Sequence, residues 1–441
     1  MNIILLSGGS GKRLWPLSND IRSKQFIKLF KTEDGDYESM VQRVYRQILS
    51  VDPNATVTVA SSKGQASSIF NQLGPDVGIS IEPCRKDTFP AIVLAAAYLR
   101  DVRNVDENES VVICPVDPYV DETYFQALKQ LDAYASTENV NLTLMGIEPT
   151  EPSEKFGYII PETAEQVSKV LTFREKPDRE TARQYLEQGA LWNAGVFACS
   201  IKYILSRATE LLSFTDYQDL FNRYDTLKKI SFDYAVVERE PQVQVMRFDG
   251  LWKDLGTWNS LTEVMEDQCI GKAIMNEECR NVHIVNEIGV PILAMGLENV
   301  VISASAEGIL VSDKEQASLI KPFVDGIDQQ IMFAEKSWGS FRVLDVADES
   351  LTIKVTLNPG SRMNYHAHSH RNETWVVTSG TGYAIVDDIS RDIRPGEVIT
   401  MAAGLRHTVV AKTKLQLIEV QLGKDITVHD KEKFDFPNVR Q

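Results

Sequence analysis

Positive charge is in short supply in this chain. The 46 Lys and Arg residues are outnumbered by 62 Asp and Glu, which leaves a net charge of −16. That balance excludes nucleic acid or an anionic membrane as the main partner. A site for a phosphorylated ligand must then be a local basic pocket on an acidic body. Cysteine is scarce too. Cys84, Cys114, Cys199, Cys269 and Cys279 show neither CxxC pairing nor framework spacing, and read as incidental thiols in a reducing compartment. No apolar run approaches 18 residues, and the opening MNIILL is too short, and lacks the charged flank, for a signal peptide. These absences predict a cytoplasmic protein. Histidine is the last shortage: of six, four fall at 366, 368, 370 and 407.

At 441 residues the chain is too long for one common domain. Up to about residue 265, apolar runs such as VTVAS (56–60), VVICPVD (111–117) and LTLMGI (142–147) alternate with longer helical stretches. The clearest helix is 90–102, opened by Pro90. Alternation of this kind predicts βαβ units and a Rossmann-like, mostly parallel sheet. From 266 to 328 the pattern changes to short β runs without helices, the signature of a small β module or short solenoid. From 329 to 441, strands with turn signals at regular intervals predict an antiparallel sandwich or barrel.

The first apolar strand runs into GGSGKRLWPLS. Gly8, Gly9 and Gly11 let a backbone approach a ligand closely, and successive N–H groups in such a turn form an anion cradle. Arg13 and Lys24 flank the same turn and supply a planar fork and a point charge, which is what a triphosphate needs. It is neither a Walker A loop nor a dinucleotide fingerprint, because the required spacings fail. In a mostly parallel sheet ligands sit outside the strand carboxyl ends, where this loop and Asp117 both fall.

The stretch GGSGKRLWPLSNDIRSKQF resembles the signature of sugar-nucleotide pyrophosphorylases, in particular mannose-1-phosphate guanylyltransferases, with Lys12 in place of the usual threonine and Ser23 in place of the proline before Lys24. Further segments resemble that family in its order: IEPCRKDTFPAIVLAAAYL, PVDPY, GIEPTEPSEKFGYI, FREKP, WNAGVF, FDYAVVE and WKDLGTW. The resemblance implies transfer of a nucleotidyl group from GTP to mannose-1-phosphate. It implies a nucleotide site of Leu6, Gly8, Gly9, Ser10, Gly11, Lys12, Arg13, Lys24, Lys86, Asp87 and Thr88, with Lys86 and Asp87 departing from the usual Arg-Asn. It implies a sugar-phosphate site of Gly157, Tyr158, Glu175, Lys176 and Asn193, and Asp117 and Asp254 as Mg²⁺ ligands. Arg13, Lys24, Asp117 and Asp254 form the catalytic set. The chemistry is an in-line displacement that needs positioning and charge neutralisation rather than a covalent nucleophile. A homodimer is the expected assembly. Two other readings stay open here: another base or another sugar-1-phosphate, and a sugar-nucleotide-binding regulator without catalysis.

In the C-terminal region His366 and His368 are two apart, which puts both on one face of a strand. Glu373 follows, and GLRH brings His407 from a later strand. Three imidazoles and a carboxylate suit Zn²⁺ or another divalent transition metal. The spacing resembles the two cupin motifs, with Ala402 in place of a proline. HAHSHRNETW and WGSF also resemble the type II phosphomannose isomerase domain, with His366 in place of glutamine. That resemblance leaves isomerase activity open.

Overall fold

In the computed structural model the described residues are 1–9, 12–19, 21–135, 140–209, 213–327, 330–424, 426 and 430–437. Ser10 and Gly11 of the glycine loop, and the expected 328/329 boundary, lie outside them. The chain forms two compact units, Met1–Ser10 with Gln25–Glu266, and Gly11–Lys24 with Asp267–Gln441.

The first unit is built on a nine-stranded sheet: β1 (Asn2–Leu6), β2 (Thr56–Ser62), β3 (Gly78–Glu82), β4 (Ser110–Pro115), β5 (Leu142–Ile147), β6 (Tyr158–Pro161), β7 (Val167–Arg174), β8 (Leu191–Ser200) and β9 (Val243–Phe248). Their order is β3-β2-β1-β4-β8-β5-β9-β7-β6. Only β7 and β8 run against the other seven, so the sheet is mixed but mostly parallel, as the alternating pattern predicts. β1 sits between β2 and β4, and Ile3, Ile4 and Leu5 are fully buried, which is why its sequence is continuously apolar rather than alternating.

Helix α1 (Met40–Val51) opens with a capping box at Ser39, and α2 (Ala66–Leu73) follows β2. Helix α3 (Thr88–Asp101) starts two residues before Pro90, because the Asp87 carboxylate accepts a hydrogen bond from Thr88 N at 2.8 Å. It is buried on almost every side, with Ala95, Ala96 and Ala97 at 0% exposure, so the run AIVLAAA shows no polar stripe. Its small residues let the helix lie close to the sheet. No described helix is long and apolar enough to cross a membrane.

In the second unit, Cys269–Gly271, His283–Asn286 and Val300–Ser305 stack as parallel strands, and Gly308–Asp313 adds antiparallel to the last. Ala273–Met275 and Ile292–Ala294 form a second parallel pair. Parallel strands with no intervening helix are a solenoid arrangement, and Val282, Ile284, Ala294 and Ile302 fill its core. Beyond it lies the barrel, made of a six-stranded and a five-stranded sheet paired antiparallel throughout. Residues 12–24, expected within the N-terminal domain, pack with this second unit. Arg22, Asn19, Pro16 and Trp15 all find partners on the strands and turns of the solenoid or at the start of the barrel.

Candidate functional site: two adjoining cavities and a buried histidine cluster

Because seven strands share one direction, the carboxyl ends of β1 to β4 open onto one edge of the sheet. A cavity of about 480 Å³ lies there, bordered by Leu6, Gly8, Gly9, Ser62, Glu82, Arg85, Asp87, Thr88, Pro115, Asp117, Gly195, Lys229 and Asp233. A second, of about 220 Å³, is bordered by Pro115, Asp117, Lys155, Phe156, Gly157, Glu175, Lys176, Asn193, Gly195, Asp233, Trp252 and Asp254. The two share Pro115, Asp117, Gly195 and Asp233. Each holds its own pair of cations, Arg85 and Lys229 in the larger, Lys155 and Lys176 in the smaller.

Glycine is required at two points of this wall. Gly9 has φ of +110° and nothing within 4 Å of an added Cβ, so the loop offers bare backbone to the cavity. A methyl on Gly157 would lie 2.5 Å from Glu175 Oε2, so this glycine is what lets the carboxylate lie against the strand. Ser7 is fixed from behind by Gln25, whose Nε2 donates to Ser7 Oγ at 3.0 Å.

The smaller cavity is tightly wired. Asn193 N donates to Gly157 O at 2.8 Å, Asn193 Nδ2 donates to Asp233 Oδ1 at 2.7 Å, and Gly195 N donates to Asn193 Oδ1 at 3.1 Å. Lys176 Nζ donates to the Glu175 carboxylate. Phe156 packs on Trp192 and Trp252 at centroid distances of 4.7 and 5.6 Å, giving an apolar wall beside the polar groups. Thr88 Oγ1 accepts from Phe232 N at 2.8 Å and so ties the helix start to the segment that carries Asp233. Burial, and then the nearby Glu175, push the Asp233 carboxyl up to about 6.

Asp117 follows β4, and Asp254 ends a short strand, Trp252–Asp254, that pairs with Pro118–Val120 so that Asp254 faces Pro118. Both carboxylates therefore border the smaller cavity. Two hard oxygen donors at one opening fit Mg²⁺, which takes few protein ligands and keeps several waters.

Several expected residues are placed elsewhere. Lys86 Nζ donates to Asp225 O at 2.6 Å and does not border the nucleotide-sized cavity, whereas its neighbour Arg85 does. Tyr158 is fully buried. Its hydroxyl accepts from Ser153 N at 2.8 Å and donates to Ser153 O, so it shapes the loop before Gly157 instead of lining the sugar-sized cavity. Lys12 makes an ion pair with Asp325 at 3.1 Å within the second unit. Arg13, in a short turn over Lys12–Leu14, is exposed, and Lys24 opens a second turn, Lys24–Phe26. Sequence reasoning missed Asp233, Glu82, Arg85, Lys155 and Lys229. FDYAVVE was the one available signal for Asp233; Glu82 ends β3, and Arg85, Lys155 and Lys229 stand on loops that no periodicity marks.

In the barrel His366, His368, Glu373 and His407 are buried, and their ligand atoms lie within 4.8 Å of one another. His366 Nδ1 and His407 Nδ1 donate to the backbone carbonyls of Asn364 and Leu405 at 2.6 and 2.9 Å, and His368 Nδ1 to that of Asp430. Each imidazole therefore directs the lone pair of Nε2 inward. His368 Nε2 and His407 Nε2 each lie 3.1 Å from a Glu373 oxygen. Buried Glu373 Oε2 and His407 Nε2 make no hydrogen bond among the described residues. Convergent, underused donors of this kind fit a divalent transition metal. Glu419 and Gln421, also missed from sequence, share the inward face of the strand Leu415–Gly423. Burial, and then the Glu373 charge, push Glu419 up to about 7. Their signal was legible: every second residue of LQLIEVQLG points inward, and that face turns from leucine to Glu and Gln.

Residues 2–269 match the nucleotidyl transferase family and residues 328–436 the mannose-6-phosphate isomerase C-terminal family. The first match covers more than half of the chain, which belongs to the nucleotidyl transferase family. The chain is 31% identical to the xanthan biosynthesis protein XanB of Xanthomonas campestris pv. campestris (strain B100), over 98% of this chain and 97% of the relative. It is 28% identical to the mannose-1-phosphate guanylyltransferase of Escherichia coli (strain K12), over 98% and 97%. Among solved structures, a Thermus thermophilus protein described as a mannose-1-phosphate geranyltransferase superposes with a TM-score of 0.60 at 26% identity, covering 74% of this chain and 98% of that one.

Two outcomes follow from this geometry. The Asp233 carboxyl, raised by burial, binds its proton more tightly in the folded than in the unfolded chain. Its contribution to stability is therefore greatest below the ordinary aspartate range and is lost as pH rises through about 6. Asp233→Asn should stabilise the first unit at pH 8 by up to about 2 kcal/mol, with the difference closing near pH 4, in denaturant unfolding at both pH values. Metal analysis of protein purified without chelators should find one divalent transition ion in the wild type, and His368→Ala should lose it.

Proposed function

We propose that the chain transfers a guanylyl group from GTP to mannose-1-phosphate, yielding GDP-mannose and pyrophosphate. The observation that carries this reading is the pair of cation-bearing cavities that meet at Asp117. One has room for a nucleoside and the other for a sugar phosphate, in a family of nucleotidyl transferases whose relatives include named mannose-1-phosphate guanylyltransferases.

In this reading the guanine lies between the start of α3 and Glu82. A carboxylate there accepts from the N1–H and amino group of guanine and is repelled by the adenine edge, which offers a lone pair at N1. The bare backbone at Gly8 and Gly9 runs beside the phosphates. Mannose rests against Phe156 and Trp252, its hydroxyls bonded by Glu175 and Asn193, while Lys176 holds its phosphate. A phosphate oxygen of the sugar attacks the α-phosphorus of GTP. The bond from that phosphorus to the α,β-bridging oxygen breaks, and pyrophosphate leaves with the electron pair. Arg13 holds the leaving pyrophosphate, and Lys24 stabilises charge on the α-phosphoryl oxygens. Mg²⁺ bound by Asp117 and Asp254 supplies neutralisation of the phosphate charge.

The barrel is read as a mannose-6-phosphate isomerase domain. A transition metal bound by His366, His368, Glu373 and His407 supplies polarisation of the sugar carbonyl. In this reading Glu419, on the inward face of the strand Leu415–Gly423, takes and returns the proton that moves between C1 and C2.

Pyrophosphate release across four nucleoside triphosphates and several sugar-1-phosphates, with Mg²⁺ present, tests the main reading. GTP with mannose-1-phosphate should give the highest kcat/KM, and Lys24→Ala should lower kcat by about 10²-fold. Absence of turnover with every pair would overturn the reading in favour of a ligand-binding regulator.

A further inference from the structure

The LWPLSNDIR stretch between Arg13 and Lys24 is a large part of the resemblance to the guanylyltransferases, yet it holds no obvious phosphate ligand. The structure gives it a different task. Leu14, Pro16, Leu17 and Ser18 are buried. Arg22 makes a two-pronged ion pair with Glu287, Nη1 to Oε2 at 2.7 Å and Nη2 to Oε1 at 2.8 Å, and its guanidinium lies over the Phe333 ring at 5.0 Å. Asn19 Nδ2 donates to Glu307 Oε1 at 2.7 Å and to Phe333 O at 2.9 Å, while Asn19 Oδ1 accepts from Ile21 N and Arg22 N. Ser305 Oγ donates to Pro16 O at 2.6 Å. A Cβ on Gly308 would come within 2.5 Å of the Trp15 ring, so the indole rests on bare strand backbone.

We propose that Glu287 and Glu307 are positioning residues for nucleotidyl transfer. Through Arg22 and Asn19 they lock the segment whose two ends carry Arg13 and Lys24, and so set the spacing and direction of those two cations. The inference rests on the guanylyltransferase reading above. Its physical basis is that a partly buried Arg–Glu pair adds little stability, since desolvation offsets much of its attraction, but its two-pronged geometry is a strict constraint on position. Apolar side chains would have held the loop equally well without fixing its register. Neither Glu287 nor Glu307 touches substrate in this account; both act at a distance through the loop.

The test is steady-state kinetics on Glu287→Gln, which keeps the shape and one hydrogen bond but removes the charge, and on Asn19→Ala. Glu287→Gln should lower kcat for GDP-mannose formation about 10-fold or more, because small displacements of a catalytic group carry large rate losses. KM for mannose-1-phosphate should stay within about twofold of wild type, since none of the sugar-cavity residues is disturbed. If Glu287→Gln does not fold, Asn19→Ala carries the same comparison. Folded variants with wild-type kcat, or a loss that tracks only the thermal midpoint while kcat per folded molecule is unchanged, would overturn the proposal. A wild-type protein with no turnover in the same assay would instead count against the guanylyltransferase reading itself.

Discussion

Repulsion between two phosphorylated ligands is the constraint on which the first unit depends. A triphosphate and a sugar phosphate must be brought into contact at phosphorus on a chain that carries a net charge of −16. Seven strands of one direction place their carboxyl ends on a single edge, where loops are free to carry cations without interrupting the sheet. Arg85 and Lys229 border one cavity, Lys155 and Lys176 the other; the carboxylate of Asp117 borders both, and that of Asp254 the smaller. The acidic surroundings sharpen this arrangement, because an anion is attracted only where the cations converge. The core serves the same end: Ile3, Ile4 and Leu5 of β1 and the alanine-rich α3 hold the strand ends close, so the edge is a fixed surface.

Much of this was legible in the sequence because the signals were local. A run of buried aliphatics ending at glycines marks β1 and its loop. The buried α3 was legible as a helix opened by Pro90, while its true start depended on the Asp87 cap. Pairing by period two placed His366 beside His368. What escaped sequence reading depends on partners far along the chain. Lys86 reaches the carbonyl of Asp225, and Tyr158 turns back onto Ser153, so neither faces the cavity next to it. Lys12 is paired with Asp325, and Arg22 with Glu287, partners separated by hundreds of residues that no local pattern announces. Asp233 stands in a motif quoted for its likeness alone. Its importance emerges only when Asn193 and Thr88 are seen to fix it at the wall common to both cavities.

The barrel follows a second principle, in which backbone carbonyls set the chemistry of side chains. The three Nδ1 atoms donate to carbonyls of residues 364, 405 and 430, and this leaves three Nε2 lone pairs with a carboxylate in one buried space. The contribution from Asp430 comes from the chain after the last long barrel strand. That segment returns to pair Glu432–Lys433 with His366–Ala367, so the charged tail helps to orient the cluster. His366, in the position of a glutamine, adds an imidazole nitrogen donor to the set.

In the proposed reading nucleoside and sugar occupy separate cavities and their phosphates meet at Asp117. A crystal structure of the protein with GDP-mannose and Mg²⁺ is the decisive measurement. It should show guanine beside Glu82, Arg85 and Thr88, mannose against Gly157, Glu175 and Asn193, and the diphosphate bridging the two at Asp117. A sugar nucleotide lying wholly within one cavity, or bound with its diphosphate away from Asp117, would contradict it.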